Sequence, residues 1–159
     1  MELFINEYGR LLIFFHVISA MIWVGGMIII RVAVHPSLQK ISDPRSRIPR
    51  TLEVMKRLFF FVLAFVFLLM LTGTLLSLGY GLYDTALAPF VHVKETILLI
   101  MFANLIAMMI KRKKAERAFY LGEDRAMTRH LAHISKFMLP LNIFLGLLAL
   151  YFGIILRGV

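Results

Sequence analysis

Four long runs without a charged residue dominate this chain of 159 residues. They are Leu11–Ile30, Leu58–Tyr83, Thr96–Ile110 and Phe137–Leu156. A helix needs about 20 mainly apolar residues to cross the hydrocarbon core of a bilayer. Three of the runs meet this length alone, and the third run meets it when it begins near Pro89. The sequence therefore predicts four transmembrane helices.

The predicted helices cover about residues 10–34, 57–82, 89–114 and 134–157. The chain is 60% hydrophobic, with a mean hydropathy of +0.84. A soluble domain of this size has no room to bury so much apolar surface. Because the connections are short, we expect one integral membrane domain over residues 1–159. Its predicted fold class is all-α, a four-helix transmembrane bundle, and Pro36 is expected to end the first helix or to come just after its end.

The net charge of +9 is unevenly distributed along the chain. The first connection holds Lys40, Arg45, Arg47, Arg50, Lys56 and Arg57, and the third holds Lys111, Arg112, Lys113, Lys114, Arg117, Arg125, Arg129 and Lys136. The connection around Asp84 has no basic residue before Lys94. Cytoplasmic loops are enriched in Lys and Arg, so both termini are predicted to be periplasmic, in a bacterial inner (cytoplasmic) membrane. Topology and lipid head-group contact account for the charge, which argues against nucleic acid as a partner.

The chain has no cysteine. This excludes disulfides, thiolate metal sites, iron–sulfur clusters and haem attached covalently through cysteine. Any resident metal or haem must therefore be held by other ligands, and the histidines are the first candidates.

Two histidines, His16 and His92, lie near the starts of the first and third predicted helices, which run in the same direction. His16 lies roughly 9 Å and His92 roughly 5 Å past the helix start at 1.5 Å per residue. Ionisable side chains in a membrane are costly and usually functional. The matched depth predicts a clamp in which both imidazoles ligate one b-type haem iron. The alternative is that each is an interfacial histidine bonded to a backbone carbonyl.

Several neighbours fit a haem pocket around this pair. Ala20 and Trp23 follow His16 on the same helix face, so a small side chain leaves room for the macrocycle and an indole can pack against it. Arg10 and Lys94 lie at the membrane boundary, where either cation can pair with a haem propionate. A snorkelling lysine is the alternative for Lys94.

A second cluster is formed by His35, His130 and His133 at the opposite membrane boundary. His130 and His133 are three residues apart and share a helix face, a spacing that can hold a metal or, with His35, a second haem. Ordinary interfacial histidines are the alternative. The ten methionines are scattered, which favours packing over a Cu(I) relay.

A small-residue stripe on the fourth predicted helix consists of Gly146, Ala149 and Gly153. Such a stripe permits close helix contact. It predicts a homodimer or a tight contact with another helix.

The stretch His16-Val-Ile-Ser-Ala-Met-Ile-Trp-Val-Gly-Gly-Met, closed by His35-Pro36, resembles the first helix of the copper-resistance protein D family. It is also similar to the wider group of small membrane haem proteins that includes the HemJ-type protoporphyrinogen oxidases. Val91-His92-Val93-Lys94 resembles the His-x-Lys that opens a later helix in that group, and Thr72-Gly73 resembles the Thr-Gly between them.

The resemblance implies that His16 and His92 ligate haem and that Lys94 is a pocket residue. The first helix ends Ile30-Arg31-Val32-Ala33-Val34-His35, without the Pro and Tyr that the oxidases carry there. The leading expectation is a haem b protein that passes electrons to or from a quinone or a periplasmic redox partner. Copper transport or tolerance, and porphyrinogen oxidation at the haem, are the alternatives, so enzymatic activity stays open.

Overall fold

The structure is a computed structural model that describes the backbone of residues 2–156 and the side chains of residues 5–156. Its four apolar helical spans are Ile5–Gln39, Pro44–Gly79, Ala88–Tyr120 and Asp124–Ile155, and each is long and apolar enough to cross a membrane. The α-helices are α1 (Glu2–Ile29), α2 (His35–Gln39), α3 (Pro44–Gly79), α4 (Ala88–Tyr120), α5 (Asp124–His133) and α6 (Leu139–Ile155), with π-helical turns at Ile30–Val34 and Ile134–Met138 and a 3₁₀ turn at Leu82–Asp84. No strand occurs among residues 2–156. The predicted all-α, four-helix transmembrane architecture is confirmed.

The spans form a ring in which each packs against the next one along the chain, and the fourth returns to the first. The first and third spans are therefore diagonal. Buried apolar side chains such as Trp23, Phe59, Val66 and Leu105 fill the centre. Only 22–28% of each span's most apolar window is buried inside the chain. The remaining apolar surface matches a lipid environment, which supports a multi-pass membrane protein.

The helices extend further at the ends than the apolar runs predict. The second span begins at Pro44 rather than near residue 57, because Asp43 caps it by accepting hydrogen bonds from the backbone N–H groups of Arg45 and Ser46. Proline suits the first helical position because its missing N–H needs no partner there. The third span continues to Tyr120, before Gly122 turns the chain at φ 73°. The predicted end of the fourth helix at residue 157 lies outside the described residues.

The sequence predicts that the first helix ends at or just before Pro36, but in the structure the first span continues through Pro36 to Gln39. Instead the helix widens into the π turn Ile30–Val34, where the His35 N–H donates to the Ile30 carbonyl five residues back. The fourth span repeats this arrangement before Pro140, with the Leu139 N–H donating to the Ile134 carbonyl. A proline inside a helix lacks an N–H and collides with the carbonyl four residues before it. A wider turn relieves that collision and lets the helix continue.

The small-residue stripe of the fourth span packs inside the bundle. A Cβ on Gly146 would lie 2.6 Å from a methyl group of Val24, and a Cβ on Gly153 would lie 3.5 Å from the Lys94 Nζ. Ala149 packs against the hydrophobic core. These contacts account for the stripe within one chain, so the homodimer predicted from it has no support.

Polar contacts also connect the spans. Asn104 donates to the Asn142 Oδ1 at 2.7 Å, and Asn142 donates to the Met101 carbonyl at 3.3 Å. The buried guanidinium of Arg112 donates to the Leu52 carbonyl at 3.2 Å. Hydrogen bonds of this kind between membrane helices fix which faces meet.

The two ends of the bundle are named here by their histidines. The His16 end contains the starts of the first and third spans. The His35 end contains the two π turns and most of the basic residues of the connections. The sequence predicts that the His16 end is periplasmic and the His35 end cytoplasmic.

Candidate functional site at the His16 end

The imidazole of His16 is held by the second span. Its Nδ1 lies 3.0 Å from the Oγ1 of Thr72, which is a buried side chain. The Thr72 hydroxyl donates its one proton to the backbone, with the Leu68 carbonyl at 2.7 Å. With that proton directed at the backbone, the hydroxyl is placed to accept from His16, which favours the tautomer with the ring proton on Nδ1. This leaves the lone pair of Nε2 free to bind a metal ion or accept a proton.

Gly73 gives the ring its place beside the helix. A Cβ at this position would lie 3.1 Å from the Cε1 of His16, closer than an ordinary van der Waals contact. The Thr72-Gly73 pair thus has two physical roles. The threonine fixes the tautomer and orientation of the ring, and the glycine lets the ring approach the second span.

Lys94 contributes a cation from the third span at the same level. Its side chain is half-buried, its Nζ lies beside Gly153 of the fourth span, and its charge acts on His16. Among the described residues, Lys94 forms no hydrogen bond or ion pair. A poorly solvated ammonium without a partner is costly, so this position favours an anionic group nearby. All four spans therefore contribute to one polar layer, which consists of His16, Thr72, Gly73, Lys94 and Gly153.

His92 does not belong to this layer. Its side chain is 64% exposed, and its Nδ1 lies 3.4 Å from the Glu95 Oε2. Its ring lies 5.6 Å from that of Tyr83, whose hydroxyl donates to the other Glu95 oxygen. That hydrogen bond raises the pKa of Tyr83. His92, Tyr83 and Glu95 thus form a separate group at the surface of the bundle.

The structure therefore places His16 and His92 in different surroundings, and the clamp between them stays a prediction. The two histidines differ in angular position. On the third span the inward face carries Val91 and Ile97, and Lys94 lies between them at helical spacing. Consecutive helical residues differ by about 100° in direction. His92 comes two residues before Lys94, so its side chain lies on nearly the opposite side of the helix.

The remaining predicted pocket residues are spread along the first span. Trp23 is fully buried, and its Nε1 has no hydrogen-bond partner among the described residues. Ala20 packs against the core beside it. Arg10 is exposed. Trp23 and Ala20 are thus core residues two turns or less from His16, and Arg10 lies outside the polar layer.

The structure does not gather the residues of the predicted second site at the His35 end into one group. His35 lines a cavity to which neither His130 nor His133 contributes. His130 lies near the charges of Lys111, Lys114 and His133, and the ring of His133 packs 5.6 Å from that of Phe137. Among the described side chains, no group of three or more His, Cys, Asp or Glu residues could hold a metal ion. His130 and His133 share a helix face, but His35 does not join them in a metal-binding group.

The His35-end cavity was missed by sequence reasoning. It has a volume of about 540 Å³ and lies between the first, second and fourth spans. Both π turns contribute to its wall, through Ile30 and Val34 on one side and Ile134, Ser135 and Lys136 on the other. Pro36 and Pro140 each follow a π turn by two residues. A proline within a long helical run was the signal in the sequence that could have indicated these turns, and with them the cavity.

Comparisons with known proteins give one informative relative. No family model matches the chain, and no solved structure matches it. A protein of Aquifex aeolicus (strain VF5), described as uncharacterized, is 30% identical over 150 residues, which cover 93% of this chain and 94% of the relative. The alignment thus includes all four spans and nearly the whole of both proteins. This chain belongs to one family with that Aquifex aeolicus protein.

Proposed function

We propose that the protein binds a b-type haem at the His16 end, with His16 as the iron ligand. The observation that carries this is the hydrogen bond between the His16 Nδ1 and Thr72, which leaves the lone pair of Nε2 free to bind iron. Ligating histidines commonly donate their other ring N–H to an acceptor, which fixes their orientation. A neutral imidazole is a common axial ligand of haem iron.

The other residues of the polar layer fit the same group. Gly73 lets the His16 ring pack against the second span, and the Lys94 ammonium offers a charge partner for a propionate. His92 is exposed and paired with Glu95, so we propose a single histidine ligand rather than a bis-histidine clamp. When bound, haem supplies one-electron transfer. The chain's own contribution is to bind the group, orient His16 and exclude water through the apolar walls.

We further propose a bacterial inner membrane as the location, with the His16 end toward the periplasm. The support is the concentration of Lys and Arg at the opposite end of the bundle. A haem held by His16 would then be on the periplasmic side of the bundle, where a quinone in the bilayer or a soluble periplasmic redox partner would exchange electrons with it.

The test is a visible spectrum of the purified protein, oxidised and reduced, compared among single variants. We expect a Soret band in the wild type that is lost in H16A and retained in H92A. H133A is the matched control, because His133 is exposed at the other end. Loss of the band in both H16A and H92A would restore the bis-histidine clamp. If the purified wild type is colourless and binds Cu(I) through His16, the haem proposal is wrong and the copper function takes its place.

A further inference from the structure

The His35-end cavity has the build of a binding site for an amphiphile. Apolar side chains, including Ile30, Phe59, Ile134 and Leu139, form one part of its wall. Polar and charged side chains, including Arg47 and Lys136, form another. Its volume of about 540 Å³ lies within the range of about 300–1,000 Å³ that small-molecule sites occupy.

Two irregular helical turns border this cavity from opposite sides. The π turns Ile30–Val34 and Ile134–Met138 belong to different spans, yet residues of both line the same space. Such turns are rare and are frequently found at functional sites. Their meeting at one cavity is an observation independent of the charges around it.

The charges of the cavity favour an anion. Arg47 is half-buried in its wall, and Lys136 and His35 also line it. Asp124 is the acidic residue among the lining side chains. Neither Arg47 nor Lys136 forms a side-chain hydrogen bond or an ion pair within the described part of the chain. Two cations without partners beside an apolar wall match a ligand with a negative head and a hydrocarbon tail.

We propose that this cavity binds one anionic phospholipid from the adjoining leaflet. Its phosphate pairs with Arg47 and Lys136, and an acyl chain lies against Phe59 and Leu139. Basic pockets between transmembrane helices on the cytoplasmic side commonly take anionic head groups, and the His35 end is the end predicted to face the cytoplasm. The proposal is independent of haem at the opposite end.

The experiment is native mass spectrometry of the full chain, released from detergent with phosphatidylglycerol or phosphatidylcholine. We expect one phosphatidylglycerol to be retained in preference to phosphatidylcholine. The double variant R47Q/K136Q should bind phosphatidylglycerol about 25-fold more weakly, since each basic residue near an anionic surface contributes about fivefold. The control R50Q/K113Q removes two exposed charges outside the cavity lining and should retain the lipid.

A second pair of variants tests the acyl chain. Ala132 lines the cavity, so A132F should displace the lipid, whereas A33F, at an exposed position outside the lining, should not. Equal retention of both lipids, or equal loss in R50Q/K113Q, would show general surface attraction and overturn the proposal. Retention in A132F would also overturn it. Displacement by inorganic phosphate alone, with no dependence on the acyl chain, would identify a free-phosphate site instead.

Discussion

Replacing Thr72 with valine isolates the contribution of one hydroxyl to the His16 site. Valine keeps the shape of threonine but removes the acceptor that lies 3.0 Å from the His16 Nδ1. The Leu68 carbonyl also loses a donor at 2.7 Å, but it keeps its regular helical partner. The main consequence is therefore that the His16 ring loses its side-chain acceptor and can then change tautomer or rotate.

The size of the effect can be worked out in two ways. Leaving a buried donor unsatisfied costs about 1–3 kcal/mol. Removing the group that orients a ligating histidine lowers metal affinity by about 10–100-fold, which corresponds to about 1.4–2.8 kcal/mol at 1.4 kcal/mol per tenfold change. The two ranges agree. We therefore expect T72V to weaken haem binding by about 10–100-fold.

The assay is titration of haem-free protein with haem, followed at the Soret band. T72S keeps the hydroxyl and should bind like the wild type. T74V removes the hydroxyl of an exposed threonine two residues away and should also bind like the wild type. An affinity of T72V within twofold of the wild type would refute the assigned tautomer and with it the role of Thr72.

Three further predictions concern the fold. Topology reporters fused near Arg45 and after the C-terminus should give opposite readings, and equal readings would contradict the assigned orientation. G146L should lower the thermal stability of the monomer without changing its oligomeric state, because its Cβ would lie 2.6 Å from Val24. The hydrogen bond from Ser46 lowers the pKa of Asp43 below its usual 3.8; the cap's contribution is therefore complete above that pH and lost as the pH falls through the lowered pKa. The thermal stability of the wild type should therefore fall below about pH 4. D43N keeps a capping side chain that does not titrate, so its thermal stability should lose this pH dependence.

The number of membrane spans and their helical type could be predicted because the bilayer length sets a simple criterion that the four apolar runs meet. The helix ends could not, since polar segments continue a helix wherever a cap allows. Asp43-Pro44 was a readable signal for the start of the second span, because a capping side chain before a first-turn proline is a helix start.

The candidate site was predicted in part. His16 and Lys94 lie in the polar layer because both face inward, which the positions of Trp23 and Val91 on their helices indicate. His92 was chosen by its depth, by the direction of its helix and by a motif resemblance, none of which includes its angular position on the helix, and that position excludes it from the layer. Thr72, Gly73 and Gly153 act through contacts between spans, which no single helix pattern contains. The cavity depends on two turns that are more than 100 residues apart in the sequence and meet only in the fold.

The π turn Ile30–Val34 has a consequence for how the two ends of the first span are related. A hydrogen bond that reaches five residues back encloses one more residue than an α-helical turn. The helix after the turn is therefore out of phase with the helix before it by about 100°. Deleting one residue from this turn would restore the regular spacing and swing His35 and Leu38 away from the cavity wall, while His16 kept its contact with Thr72. The extra residue thus lets one continuous helix aim its two halves independently.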